Sequence, residues 1–98
     1  MAPHRIHRRL QDVQRRLAAA RESLRVLDEQ LAVWAEAHDD ARLRSLMSET
    51  PQSDHDLADV RRHFEVATRE RERRGREVDE LVRERDRLLR EWNPKEAS

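Results

Sequence analysis

The chain has 98 residues, 43% charged and 3% aromatic, with 21 basic residues balanced by 21 acidic ones. That length makes one domain at most (1–98), and zero net charge argues against a non-specific nucleic-acid or membrane-surface role. The absence of Cys excludes disulfides and Cys-based zinc sites, and a single Gly leaves no phosphate-cradling loop.

Met1-Ala2-Pro3-His4-Arg5 leads straight into an amphipathic stripe without a signal-peptide pattern. No apolar run approaches the ~18 residues a spanning helix needs, so a cytoplasmic location is expected, with no membrane partner. Twenty of the 21 basic residues are Arg, a codon signature of a GC-rich genome.

Helix one is expected over residues 4–48. Ile6, Leu10, Val13, Leu17, Ala20, Leu24, Leu27, Leu31 and Trp34 recur at alternating steps of four and three. That 3.5-residue period lines one seam of a long helix. Beyond Trp34 the heptad positions are His38, Ala41 and Ser45, while the apolar residues move to Leu43, Leu46 and Met47. A register shift is therefore expected within 36–40, carried by a continuous helix with a local irregularity.

A turn follows over 49–53. Thr50 before Pro51 can cap a helix with Pro in its first position. Ser53 with Asp56 three residues on offers a competing, capping-box-like start. Helix two is placed at 54–92, where Asn93-Pro94 stops it and leaves a tail over 93–98. Its stripe runs Leu57, Val60, Phe64, Ala67, Arg71, Arg74, Val78, Leu81, Arg85, Leu88 and Trp92.

These elements predict an all-α fold, an antiparallel two-helix hairpin of coiled-coil type. Folding back about residue 51 pairs positions whose numbers add to roughly 103: Leu46 with Leu57, Leu43 with Val60, Leu10 with Trp92. The same register brings Arg71 and Arg74 against Leu27, Leu31 and Trp34, with Arg71 stacked on Trp34 as a cation–π pair. Ala19, Val26 and Val33 on helix one, and Val82 and Leu89 on helix two, form a second stripe that a lone pair of helices leaves wet. Val26, Val33, Val82 and Leu89 are therefore the expected self-association surface, pairing two copies as a homodimer in a four-helix bundle.

Charge is blocked along the chain. Residues 1–30 carry +3, 36–59 carry −5, 61–76 carry +4 and 77–98 carry −2. The Arg clusters around 5–16 and 69–76 are interrupted by acids or belong to the seam, unlike a basic region feeding a zipper; nucleic acid is not the expected partner. His55, Asp59 and His63 share a helix face at metal-ligand spacing, but such spacing is common on polar helices. No metal, no cofactor and no catalytic residue is expected. The expected binding residues for a protein partner are Trp34, Arg71 and Arg74 along the helices, and Asp39, Asp40, Asp54, Asp56 and Asp59 near the turn. An anionic nucleotide at Arg71 and Arg74, and a purely structural dimer, are the alternatives.

The segment Arg42-Leu43-Arg44-Ser45-Leu46-Met47-Ser48-Glu49-Thr50-Pro51 resembles small helical proteins of actinobacteria. Phe64, Thr68, Arg71, Gly75 and Asp79 are similar in spacing to the Glu-x3-Ser-x2-Arg-x3-Gln-x3-Asp motif of coiled-coil anti-sigma factors that bind cyclic di-GMP. Arg71 and Asp79 match it, and Thr68 replaces Ser. Asp56-Leu57-Ala58-Asp59 resembles the start of the acidic tip of secondary-channel factors of RNA polymerase, and the length is similar to that of secreted WXG hairpins. These resemblances imply a non-enzymatic bacterial regulator that grips a protein through a helical hairpin.

Overall fold

The computed structural model describes residues 3–92, so the tail expected over 93–98 and its Asn93-Pro94 stop lie outside the described residues. The described residues form two α-helices and no strand: α1, Pro3–Ser48, and α2, Pro51–Trp92. None is long and apolar enough to cross a membrane.

Only Glu49 and Thr50 separate the helices, and α2 begins three residues before the expected 54. Glu49 takes a left-handed conformation, φ 49°, and its N–H donates to the Ser45 carbonyl at 3.1 Å. This is the single-bond left-handed cap that usually employs glycine; a side chain there costs roughly 1–2 kcal/mol. Thr50 then caps α2. The Ser53 N–H donates to Thr50 Oγ1 at 3.1 Å, and the Thr50 N–H donates to Ser53 Oγ at 3.3 Å. The result is a reciprocal capping box with Ser in the place of Glu, and Pro51 fills the first helical position, where no N–H is needed. Ser53 thus serves the Thr50 cap instead of starting the helix itself. Thr50→Ala is expected to cost about 1 kcal/mol, read as a lowered urea midpoint at unchanged slope. A midpoint equal to the parent's would show that the cap contributes nothing.

The chain divides into two compact units. Unit one, described over 3–23 and 74–92, holds the dry core. Val13, Leu17, Ala20, Leu81 and Leu88 are buried together, and Leu10, Val78 and Val82 pack against them. Its two stretches run antiparallel: the His7 ring lies 5.4 Å from Trp92, and Arg9 reaches to within 4.0 Å of Glu84. Arg85, a charged seam position, is half-buried and donates from its guanidinium to Asp86, 3.1 Å away, which gives the charge a partner.

Unit two spans Leu24–Arg73 and contains the turn. Its stretches also run antiparallel, with Asp28 against Arg71, Trp34 against His63, His38 against Phe64 and Ser45 against Asp54. These numbers add to about 99, twice the midpoint of the 49–50 turn, not to the expected 103. The difference of four residues is close to one helical turn. It removes the expected pairs of Leu46 with Leu57 and Leu43 with Val60, and it replaces Leu10 by His7 beside Trp92 in unit one.

No irregularity interrupts 36–40; α1 is one α-helix through this stretch. Ala41 is buried, and His38 and Ser45 are half-buried. The heptad thus continues through the weakly apolar positions. Leu43, Leu46 and Met47 stay 58%, 65% and 84% exposed. A continuous helix can present only one face to its neighbour, and the two-residue turn selects the face of His38, Ala41 and Ser45.

Candidate functional site

The surface best formed for recognition lies in unit two, between α1 and α2. Trp34 leaves the seam far enough to stack on His63, with ring centroids 4.7 Å apart and planes inclined by 7°. His63 Nδ1 lies 2.8 Å from the Asp59 carbonyl oxygen. A carbonyl only accepts, so Nδ1 carries the proton in this bond, which fixes the ring against the indole. The Asp59 carboxylate is held by Arg62 and by His55 Nε2 at 3.4 Å. About two helical turns of α2 thus order the rim that faces Trp34.

Beside this stack opens a groove of about 390 Å³. Leu27, Trp34, Val66 and Ala67 form its apolar floor, and Gln30, Arg62, His63 and Glu70 form its rim. Val66 is 58% exposed. An apolar concavity with a few oriented polar groups and a Trp in its floor is the common form of a partner-binding pocket.

The expected contact of Arg71 with Trp34 is absent. In the register set by the turn, His63 stands opposite Trp34, and Arg71 lies about two turns further along α2. There Arg71 Nε donates to Asp28 Oδ1 at 2.9 Å. Both side chains are about half exposed, so the pair contributes at most about 1 kcal/mol. Arg74 belongs to unit one, where it donates to Glu77 on its own helix at 2.9 Å. An anion at Arg71 would share the guanidinium with Asp28, which already takes its Nε–H.

The acids near the turn divide into two sets. Asp54 accepts from Ser45 Oγ, Asp56 from Gln52 Nε2 at 2.9 Å, and Asp59 from Arg62. Asp39 and Asp40 are exposed. Of the expected self-association stripe, Val26, Val33 and Leu89 are exposed, whereas Val82 packs on the core of unit one. Among the described residues no three His, Cys, Asp or Glu side chains are grouped to hold a metal ion; His55 and Asp59 pair with each other while His63 is turned to Trp34.

No family model, curated protein or solved structure matches this chain. The site therefore has to be read from its own chemistry. The heptad points to Trp34, the sequence places His63 only on a polar face with His55 and Asp59, and it gives no sign of Val66. Val66 stands seven residues from Asp59 and from Arg73, so no apolar repeat flags it. That His63 stands opposite Trp34 becomes visible only once the register is known.

Proposed function

We propose that this chain is a non-enzymatic protein-interaction module of the bacterial cytoplasm, a small regulator of the anti-sigma or RNA-polymerase-associated kind. It grips a protein partner through the groove of unit two and the acidic residues beside it. The observation that supports this reading most is the solvent-open apolar floor of Leu27, Trp34, Val66 and Ala67, against which an ordered His63–Asp59–Arg62 rim is already in place. A pre-formed pocket of this kind lowers the ordering cost of association. The exposure of Val26 and Leu89 supports the further reading that two antiparallel hairpins pair as a four-helix bundle.

The test is photo-crosslinking in the native cell from a reactive group placed at Gln30, on the rim. One heterologous protein is expected in the crosslinked product. Val66→Glu, at an exposed position, is expected to cut its yield at least tenfold with the helical circular dichroism unchanged. Crosslinks found only between two copies of the chain would overturn the regulator reading in favour of a structural dimer.

A further inference from the structure

A second surface of unit two is left open on α1. Val33, Glu36, Asp40, Leu43 and Met47 follow one another at steps of three and four along an unbroken helix, so they share one face. Asp39 and Leu46 flank it. This face points away from the seam that holds His38, Ala41 and Ser45. Val33 and Leu46 are each 65% exposed, and Leu43 and Met47 are among the other exposed large hydrophobic residues. The face is thus apolar at both ends and acidic in its middle.

The three carboxylates in that middle are not used by the fold. Ion pairs elsewhere engage Asp12, Asp28, Glu29, Asp59, Glu70, Glu77, Glu84 and Asp86. Glu36, Asp39 and Asp40 have no side-chain hydrogen bond or ion pair with another described residue. Arg42 and Arg44 lie to either side of the stripe. The segment 36–59 as a whole carries −5, so the local field favours a cationic partner.

We propose that this face docks a basic amphipathic helix of a partner protein, with Lys or Arg at its centre and apolar residues on either side. Val33 and Met47 are about 21 Å apart at the rise of an α-helix, which sets the docked segment at about four turns. Its apolar residues cover Val33 at one end and Leu43, Leu46 and Met47 at the other. Its cations meet Glu36, Asp39 and Asp40, which fix register and polarity. The inference rests on reading the chain as an interaction module, and it names the chemistry of one partner segment.

The experiment uses the full isotope-labelled chain and two synthetic 18-residue amphipathic helices, one of Leu and Lys and one of Leu and Glu. Amide shifts on titration with the Leu/Lys peptide are expected to centre on 33–47. Asp39→Lys with Asp40→Lys is expected to weaken that binding at least tenfold, and the Leu/Glu peptide is expected not to bind. Both positions are exposed, and circular dichroism checks that the variant remains folded. Shifts centred on the Trp34 groove, or equal affinity for the charge-reversed variant, would overturn the proposal. So would a homodimer in which Leu43 and Met47 contact the second copy, since the face would then belong to that copy. Crosslinking from Gln30 reports on the groove alone, so failure there and failure here are distinguishable.

Discussion

Leu17→Ala and Leu88→Ala are each expected to destabilise the chain by about 2–5 kcal/mol, the cost of deleting a buried leucine and leaving a cavity. Both side chains are only 1% exposed and sit in the cluster of unit one. The loss is large against the few kcal/mol of total stability available to a chain this short. Leu89→Ala, one residue along and outside that cluster, is expected to cost well under 1 kcal/mol. Urea denaturation followed by helical circular dichroism reads all three. Equal losses at Leu88 and Leu89 would mean that the core is not where the burial places it.

The second large effect is expected at Ala41. Ala41→Asp places a carboxylate at a position 1% exposed and should cost several kcal/mol through desolvation of a buried charge. Met47→Asp, at a position 84% exposed, should be neutral within about 0.5 kcal/mol. The apolar pattern alone suggests the reverse order, because it makes Met47 a core residue and Ala41 a surface one. The pair of variants therefore tests the register of unit two directly. A severe loss at Met47 with a mild one at Ala41 would show that α1 shifts its face after Trp34.

The two units also differ in what they leave for function. Unit one buries a compact aliphatic cluster. In unit two most seam residues are only half-buried, and the groove and the acidic α1 face both lie there. A weakly buried stretch leaves apolar surface that another chain can cover, whereas a dry core has already used its own.

The heptad by itself determined the helices and, as far as Trp34, which side chains of α1 line the seam. Every apolar residue from Ile6 to Trp34 at steps of four and three is buried or half-buried, because a 3.5-residue period leaves one face for burial. Thr50-Pro51 was legible only as one of two competing helix starts, because a capping side chain before Pro and the pair Ser53 and Asp56 both suit a first turn; the expected start at 54 lies three residues too late. The tertiary structure alone decided the register. Glu49 has no intrinsic preference for the left-handed conformation, so nothing in the sequence announces a turn of two residues instead of five. That turn moves the pairing by four residues. It exchanges Arg71 for His63 at Trp34, holds Ala41 inside and leaves Leu43, Leu46 and Met47 outside. The heptad is a property of each helix separately, and it repeats too regularly to choose among registers one helical turn apart; the choice falls to the turn geometry and to the cross-helix contacts it permits.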